Sequence, residues 1–599
     1  MRHLLPLLWL AALLLRPAAQ DGGLSLSARA GFDGLYKEMD AVPVFVSVRN
    51  DGPPIEGEIR IAVDSMSGGP VVYSAPVSLP TGSDKRVALY IDVLTFTGDL
   101  NVQLVSDETV VATADSNPLI MTMRHHLLYG VITSDPSGLA FLETVSGSRT
   151  DADVAFLDLA DLLPVTVGGV ESADDLPALS AFGGVAFNAP GPYTLTGSSL
   201  RAGELLIHQD GLPILAHTPL GLGGVTFLAL DPKLAPLAGW RGHAAVWESI
   251  AALTSTPGPY ANGIQDGYAA TQAASSIPGL RLPSVGQLLL FLFVYTLVIG
   301  PINFLVLRRL RRRELAWVTI PVLVLLFSAI TFFTSFRSRG GAVLQNEMSV
   351  AYGSVEAERV RTQSIVGLYS PQRGRYDLSL PYDTTAFPLT GQFGSVGLVS
   401  NLAAIVRAGD LTLREVRADT GEVVAFLVDA HRPRPPLSAT ARLVDDGRAV
   451  AVTVRNDGAL TLENAVLLYG DQQRQLDDLA PGAAREAQLP VTVLGPPGAT
   501  PTPDPYMPSA VLVPSPLIND PTYILGTPDY FSDPNVYARW QLVQSLYNYS
   551  DTSPVQQTDP TKSIILAGWL PDSDQPIDLG DVATTRSAAT LVLLEIPVR

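Results

Sequence analysis

The residues that could do chemistry are scattered along this chain and do not form a recognised catalytic motif. Ser134 and Asp158 each end an apolar, strand-like run, and a Ser/His/Asp set could be assembled with one of the seven histidines. A serine nucleophile of this kind usually lies in a G-x-S-x-G turn between a strand and a helix, and the sequence lacks that motif. We therefore predict no catalytic residue and a protein that is not an enzyme.

Metal-ligand patterns are missing from the sequence as well. The chain has no cysteine, which excludes thiolate metal sites, disulfides and thiol catalysis. No H-E-x-x-H motif occurs, and the acidic run DADVAFLDLAD (Asp151 to Asp161) is interpreted as a strand with polar ends and not as a calcium loop. We predict no metal and no cofactor.

Two apolar stretches are the clearest signal in the sequence. Val285 to Leu307 and Leu315 to Phe336 contain no Asp, Glu, Lys, Arg or His, and each exceeds the roughly 20 residues that a helix needs to cross a bilayer. The predicted transmembrane helices are therefore 284–307 and 315–336. Between them lies an arginine-rich loop, 308–314, whose charge marks the cytoplasmic side. Its arginines are Arg308, Arg309, Arg311, Arg312 and Arg313.

Four further residues have predicted roles in this hairpin. Trp317 falls where an aromatic belt meets the membrane interface. Gly300 and Pro301 predict a kink, because proline removes a backbone hydrogen bond and clashes with the preceding turn. Asn303 is expected to help hold the two helices together by an interhelical hydrogen bond.

The composition agrees with a few spanning helices joined to large outer domains. The chain has 599 residues, 47% of them hydrophobic, and a net charge of −19, which argues against a nucleic-acid partner. Residues 1–20 are predicted to be a signal peptide, with an uncleaved anchor as the alternative. We expect the protein in the cytoplasmic membrane, with most of its mass outside the cytoplasm and with the lipid bilayer and a membrane or envelope protein as partners.

The predicted outer domains lie on both sides of the hairpin. Alternating strands at 21–122 predict a β-sandwich. Strands and helices alternate at 123–256, which predicts an α/β domain of the Rossmann type with a mainly parallel sheet, and 257–283 is interpreted as a linker. Residues 337–599 are predicted to form an extracytoplasmic β-rich region with a sandwich at about 437–493. The predicted fold class is thus a multidomain α+β membrane protein.

Two local patterns refine the prediction for the outer domains. The sequence VRNDG occurs at Val48–Gly52 and again at Val454–Gly458, which indicates either a repeated sandwich unit or only a shared turn. In the C-terminal region, Asp533 and Pro534 predict the cap and the first turn of a helix.

The segment YTLVIGPINFLVLRRLRRRELAWVTIP (Tyr295 to Pro321) resembles a group of uncharacterised bacterial membrane proteins with large ectodomains. LPILAHTPLGLGGVTFLALDPKLAPLAGWRGHAAVWESI (Leu212 to Ile250) is similar to the end of a class I glutamine-amidotransferase-like domain. NEMSVAYG, GLYSPQRGRYDLSLP and AGWL resemble the group's C-terminal region. The resemblance implies an amidotransferase-like domain that is not catalytic here, because amidotransferases use a cysteine that this chain lacks.

These observations predict a membrane-anchored extracytoplasmic protein without enzymatic activity, which acts as a binding or scaffold component of a bacterial envelope or transport complex. The alternative is a hydrolase of envelope material with an unrecognised site in the α/β domain. A sensor that signals through the arginine-rich loop is the third hypothesis.

Overall fold

A computed structural model describes most of the chain outside the first 22 residues. The described residues are 23–37, 40–63, 70–91, 98–122, 127–133, 136–139, 141–142, 152–157, 203–209, 212–220, 223–234, 247, 250, 263–277, 285–339, 342–389, 402, 404–469, 472–491, 517, 521–529, 531, 533–546, 563–573 and 577–598. The predicted signal peptide 1–20, Ser134 and Asp158 lie outside them.

Strands dominate the described residues on both sides of a helical segment. The strands before this segment are β1 Leu24–Ala30, β2 Leu35–Lys37, β3 Val42–Asn50, β4 Ile55–Val63, β5 Val71–Leu79, β6 Ser83–Ile91, β7 Asn101–Ser106, β8 Thr109–Asp115, β9 Ile120–Thr122, β10 Leu127–Ile132, β11 Ala152–Leu157, β12 Glu204–Gln209, β13 Leu212–Leu220 and β14 Gly223–Leu228. The strands after it are β15 Val343–Ser354, β16 Arg359–Tyr369, β17 Gly374–Leu380, β18 Thr384–Leu389, β19 Ala404–Ala408, β20 Asp410–Ala418, β21 Val423–Pro433, β22 Leu437–Val444, β23 Ala449–Asn456, β24 Leu462–Tyr469, β25 Gln472–Leu479, β26 Ala484–Pro490, β27 Ser563–Leu570 and β28 Thr584–Pro597.

Six α-helices accompany the strands in the described part of the chain. They are α1 Gly267–Ser275, α2 Val285–Leu297, α3 Asn303–Arg309, α4 Ala316–Arg339, α5 Thr522–Leu525 and α6 Pro534–Ser545. Asp533 caps α6 through a hydrogen bond that its Oδ1 accepts from the Asn535 backbone N–H at 2.8 Å, and Pro534 is the first helical residue. The predicted cap and first turn of this helix are therefore confirmed.

The predicted α+β fold class is wrong, because the residues that the structure describes are mostly β-sheet, with 56% strand and 19% helix. In the range predicted as an α/β domain, the described strands form one parallel pair, β10 with β11, and a separate antiparallel sheet, β12-β13-β14. Only 210–211 separate β12 from β13, and so short a connection cannot make the crossover that parallel strands need. No Rossmann-type sheet is present among the residues that the structure describes.

The predicted transmembrane hairpin is also corrected. Among the described helices, one, Leu288–Arg309, is long and apolar enough to cross a membrane. In the second helix, α4, the apolar stretch Ala316–Thr331 is shorter than the roughly 20 residues that a spanning segment needs, although the helix itself continues to Arg339. The described residues therefore provide one helix that is both long and apolar enough to span a bilayer, and not the predicted pair.

Strands from both sides of the helical segment share one sheet. The seven-stranded sheet has the order β17-β20-β19-β5-β4-β7-β8, and β19 pairs in parallel with β5 through Ala404↔Val72, Ile405↔Tyr73 and Val406↔Ser74. One hydrophobic core accordingly joins Val44 and Ile59 to Val366 and Phe426. The prediction of β-rich regions at 21–122 and 337–599 agrees with this structure. The predicted domain boundaries stay predictions.

An eight-stranded sheet, β18-β21-β16-β15-β28-β27-β24-β25, organises the rest of the body. Helices α1 and α6 cover one face, where Ala270 and Leu542 pack with Ile365 and Leu591. The small sheet β22-β23-β26 contributes Val452 to a core that includes Leu594. Helix α1 lies within the segment predicted to be a linker, and its buried alanines show why this small-residue sequence can pack closely against a sheet.

The two VRNDG segments occupy equivalent places in two similar sandwich units. In the first unit, β3 pairs with β1 and β6, so that Asn50 faces Leu24 and Ser83. In the second, β23 pairs with β22 and β26, and Asn456 faces Leu437. The hairpins β4–β5 and β24–β25 then continue each unit. The structure therefore favours a repeated unit over a shared turn.

Candidate functional site

The helical segment exposes an unusual amount of apolar surface. The exposed fraction reaches 64% for Phe293 in α2 and 69% for Leu325 in α4, and many large apolar side chains between them are also exposed. Soluble proteins rarely present a continuous apolar surface of this extent, and such surfaces usually mark contact with a membrane or a partner. The helical segment is therefore the first candidate site.

Pro301 lies where the α-helical hydrogen-bond pattern changes. Val298–Ile302 forms a π-helical turn between α2 and α3 with Pro301 inside it. Proline lacks a backbone N–H and clashes with the carbonyl four residues earlier, so the wider turn accommodates it. Gly300 has no neighbouring atom within 4 Å of the position that a Cβ would take, so the turn does not depend on close packing there.

Asn303 and Leu307 are the buried side chains of α3. They lie one turn apart on the same helical face, in a helix that packs against α4. In the preceding helix, the rings of Phe291 and Tyr295 lie 5.8 and 5.3 Å from that of Phe327 in α4, measured between centroids. The position of Asn303 is compatible with the predicted packing role.

The arginines lie at the end of the segment that is remote from the sheets. Arg308 and Arg309 end α3, and Arg311 adopts a positive φ of 52° in the turn that follows. The Arg312 backbone N–H donates to the Leu307 carbonyl at 3.1 Å, and Arg313 begins a short 3₁₀ turn that leads into α4. Trp317, just beyond this turn, is 89% exposed. The structure thus groups the predicted arginines and Trp317 at one end.

A second cluster of polar groups is buried in the eight-stranded sheet. Glu347 is fully buried and accepts hydrogen bonds from Ser573 Oγ and, at 3.0 Å, from Arg586 Nε. Ser349 Oγ lies 2.7 Å from Ser364 Oγ and 2.9 Å from Ser573 Oγ. Burial raises the pKa of Glu347, and the bonds from Ser573 and Arg586 oppose that rise. This chain of hydroxyls and a carboxylate ties the loop after β27 to the sheet.

A third cluster joins the N-terminal sandwich to the opposite face of the same sheet. Arg361 donates through Nε and Nη2 to both oxygens of Asp429, and its Nη2 also donates to Asp40 Oδ1 at 2.5 Å. Gln363 Nε2 donates to Asp429 at 2.9 Å, while Gln363 Oε1 accepts from the Ile264 backbone N–H at 2.8 Å. The two carboxylates raise the pKa of Arg361 despite its burial, so it stays charged.

Histidines near these clusters or in β13 have altered basicity. Burial lowers the pKa of His431, which lies beside Asp429 and Arg361, and Arg361 lowers it further. Burial also lowers the pKa of His217 in β13, whose Nδ1 lies 2.9 Å from Thr226 Oγ1. Among the described residues, neither histidine lies beside a serine in the arrangement of a Ser/His/Asp catalytic set. The prediction that this protein is not an enzyme stays a prediction.

Sequence reasoning missed the Glu347 and Arg361 clusters, although both left a trace in the sequence. Glu347 is a charged residue within the otherwise uncharged strand VLQNEMSVAYGS, and Arg361 and Asp429 are charged residues within β16 and β21. A charge in a buried strand predicts a partner. The partners come from distant parts of the chain, so the sequence alone could not identify them.

The outer face of β22-β23-β26 forms an open concave surface with a polar lining. It encloses about 370 Å³ and is lined chiefly by polar side chains of the three strands. These lining residues are Thr440, Arg442, Thr453, Glu486 and Gln488, together with Ala451. Hydroxyl, guanidinium, amide and carboxylate groups on one rigid sheet can hydrogen-bond to a polar partner. No group of metal ligands occurs among the residues that the structure describes.

Comparisons with known proteins give two family matches, each to a part of the chain. Residues 23–118 match a domain of unknown function, DUF8726, and residues 438–599 match another, DUF8725. No curated protein matches. A yeast delta-COP-I mu-homology domain in complex with a Dsl1 WxWxV peptide is similar over 43% of this chain and 98% of its own, with 8% identity and a TM-score of 0.21. The resemblance to bacterial membrane proteins stays a prediction.

Proposed function

We propose that this protein is a non-enzymatic, membrane-anchored component of a bacterial envelope or transport complex, with its β-rich body outside the cytoplasm. The exposed apolar surface of the helical segment carries the proposal. That surface surrounds Leu288–Arg309, the helix of spanning length, and it requires an apolar environment to be stable. The arginines at the far end of this helix favour the cytoplasmic side of a membrane.

The seven-stranded sheet indicates how the residues before and after the helical segment are placed relative to a membrane. Because β5 precedes the helical segment, β19 follows it, and the two pair directly, both flanks lie on the same side of any bilayer that the segment enters. The mass on either side of the segment therefore belongs to a single body. An anchor that projects from one folded body suits a scaffold or binding subunit.

Single cysteines in this cysteine-free chain test the location. We expect a membrane-impermeant maleimide to label Thr81→Cys and Thr420→Cys in intact cells, because both positions are exposed on the body. Leu310→Cys, at the arginine-rich end, should be labelled only after permeabilisation. Labelling of Leu310→Cys in intact cells would contradict the orientation, and recovery of the chain in the soluble fraction would contradict membrane attachment.

The concave face of β22-β23-β26 is the partner-binding surface in this proposal. A photo-crosslinking amino acid at Thr440 should give a discrete adduct in native membranes, and Arg442→Glu should reduce its yield by reversing a charge in the concavity. Ser27 provides the matched control, since it occupies the register position of Thr440 in the first sandwich unit. Equal adducts from Thr440 and Ser27, or none from Thr440, would exclude this surface.

A further inference from the structure

Three aromatic side chains form a cluster at the N-terminal end of α6. Phe531 is 68% exposed, and its ring centroid lies 5.4 Å from that of Trp540 and 6.0 Å from that of Tyr537. The Tyr537 and Trp540 centroids are 5.6 Å apart. Tyr537 and Trp540 are partly buried, so Phe531 is the exposed member of the cluster. Aromatic side chains are enriched where a protein meets the headgroup layer of a bilayer.

The contacts between α1 and α6 place this cluster at one particular end of the body. The Ser545 carbonyl, at the end of α6, accepts from the backbone N–H groups of Gln265 and Asp266, at the start of α1. The two helices therefore run antiparallel. The opposite end of α1 lies beside Asn346, near the beginning of β15. Asn346 Nδ2 donates to the Ala273 and Ser276 carbonyls at 3.0 and 3.4 Å.

Asn346 also adjoins the beginning of α6. Together with Asn535 and Val536, it lines a cleft of about 270 Å³ between α6, β15 and β28. The end of α1, the beginning of β15 and the beginning of α6 thus meet at the same end of the body. Phe531 precedes α6 by three residues and lies at that end.

Both connections to the helical segment emerge from this end. Eight residues lead from Ile277 to the start of α2 at Val285, and seven lead from Arg339 at the end of α4 to Asn346. Even fully extended chains of these lengths span only about 25–29 Å. Ile277 and Asn346, at the end of the body that carries Phe531, therefore lie within about 25–29 Å of the ends of the apolar helices.

We infer that Phe531, supported by Tyr537 and Trp540, inserts into the interfacial layer of the bilayer. This insertion holds the body against the membrane beside the helical segment. This inference rests on the proposed membrane attachment. Asp529 and Asp533 flank Phe531, and their charge opposes binding to anionic lipid. The cluster accordingly suits a zwitterionic lipid surface, which it contacts through aromatic side chains and not through basic groups.

Spin labels on single cysteines in the full chain, reconstituted in phosphatidylcholine nanodiscs, test the inference. A label at Asp529→Cys, beside the intact cluster, should collide with a water-soluble nickel complex severalfold less often than a label at Tyr268→Cys. Tyr268 is the matched control, because it is a 51% exposed aromatic residue on α1 at the opposite end of the body. Adding Phe531→Ala to the Asp529→Cys chain should raise the collision rate severalfold, since the insertion is lost.

A third label, at Leu297→Cys within the spanning helix, separates the two proposals. If the label at Leu297 is shielded from nickel while the label at Asp529 is as accessible as that at Tyr268, the chain is anchored in the membrane but insertion of Phe531 is refuted. If the label at Leu297 is itself accessible to nickel, both membrane attachment and insertion of Phe531 are refuted. Shielding at Asp529 that Phe531→Ala does not change would also overturn the inference, because the protection would then have another source.

Discussion

Arg361 is the residue on which the junction between the N-terminal sandwich and the eight-stranded sheet depends most directly. It is nearly buried, stays charged, and binds Asp429 within the sheet and Asp40 in the chain before β3. Removing one partner of such a pair leaves an uncompensated charge, which costs far more than the pair itself contributes. The tyrosine ring of Tyr352, 6.0 Å from the guanidinium carbon, adds a further contact for the cation.

We predict that Arg361→Met and Asp429→Asn each lower the free energy of unfolding by about 3–5 kcal/mol. The double variant should lose clearly less than the sum, because it removes both members of the Arg361–Asp429 pair, whereas each single variant leaves one member without the other. Chemical denaturation in detergent, followed by circular dichroism, measures the three values. Arg375→Ala is a suitable control, since its ion pair with Glu415 is exposed and should contribute less than about 1 kcal/mol. Strict additivity would show that the two residues do not act as a pair.

At the scale of elements, the two sandwich units share more than their strand order. Asn50 Nδ2 donates to the Pro53 and Leu79 carbonyls at 2.7 and 2.9 Å, and its Oδ1 accepts from Gly52 at 3.0 Å. Asn456 repeats the pattern with the Leu460, Leu479 and Gly458 backbones at 2.8, 2.8 and 3.0 Å. In both units, this buried amide joins the end of the strand to the turn and to the neighbouring strand.

Asn50→Ala and Asn456→Ala should therefore destabilise their units to a similar extent, by about 2–4 kcal/mol, since each leaves several buried backbone groups without a partner. Hydrogen exchange with mass spectrometry can resolve the two units in one chain. The exposed ion pairs Arg49–Asp51 and Arg455–Asp457 also correspond, and Arg49→Ala and Arg455→Ala serve as near-neutral controls. A strong effect at one asparagine alone would argue against equivalent units.

The sequence was informative about elements and uninformative about how they assemble. Alternation of apolar and polar residues correctly indicated strands such as β3 and β4, because side chains alternate between the faces of a strand. The same alternation does not distinguish parallel from antiparallel pairing, and the α/β prediction failed where β12, β13 and β14 form an antiparallel sheet. Clusters such as that of Glu347 depend on pairing between distant strands, which no local pattern encodes.

At the scale of the whole molecule, the direct pairing of β19 with β5 determines the architecture. The two strands are separated in sequence by the entire helical segment, yet they are neighbours in the seven-stranded sheet. The helical segment, which lies between these strands in sequence, can therefore project from the body while the residues before and after it stay in one folded unit. The same pairing covers the edge of β5, which would otherwise offer unpaired backbone groups to another chain.

A cysteine pair tests this architecture in the full chain. Val72 and Ala404 are Cα partners in the β5–β19 register, and neighbouring strands lie about 5 Å apart, which is within reach of a disulfide. We expect Val72→Cys/Ala404→Cys to cross-link on mild oxidation. After cleavage at a protease site inserted between 158 and 202, the fragments should stay joined on a non-reducing gel and separate on a reducing one. Val72→Cys/Thr420→Cys is the control, since Thr420 follows β20 and is not paired with β5. Fragments that separate without reductant would mean that the flanks of the anchor do not share a sheet, and the single-body architecture would have to be abandoned.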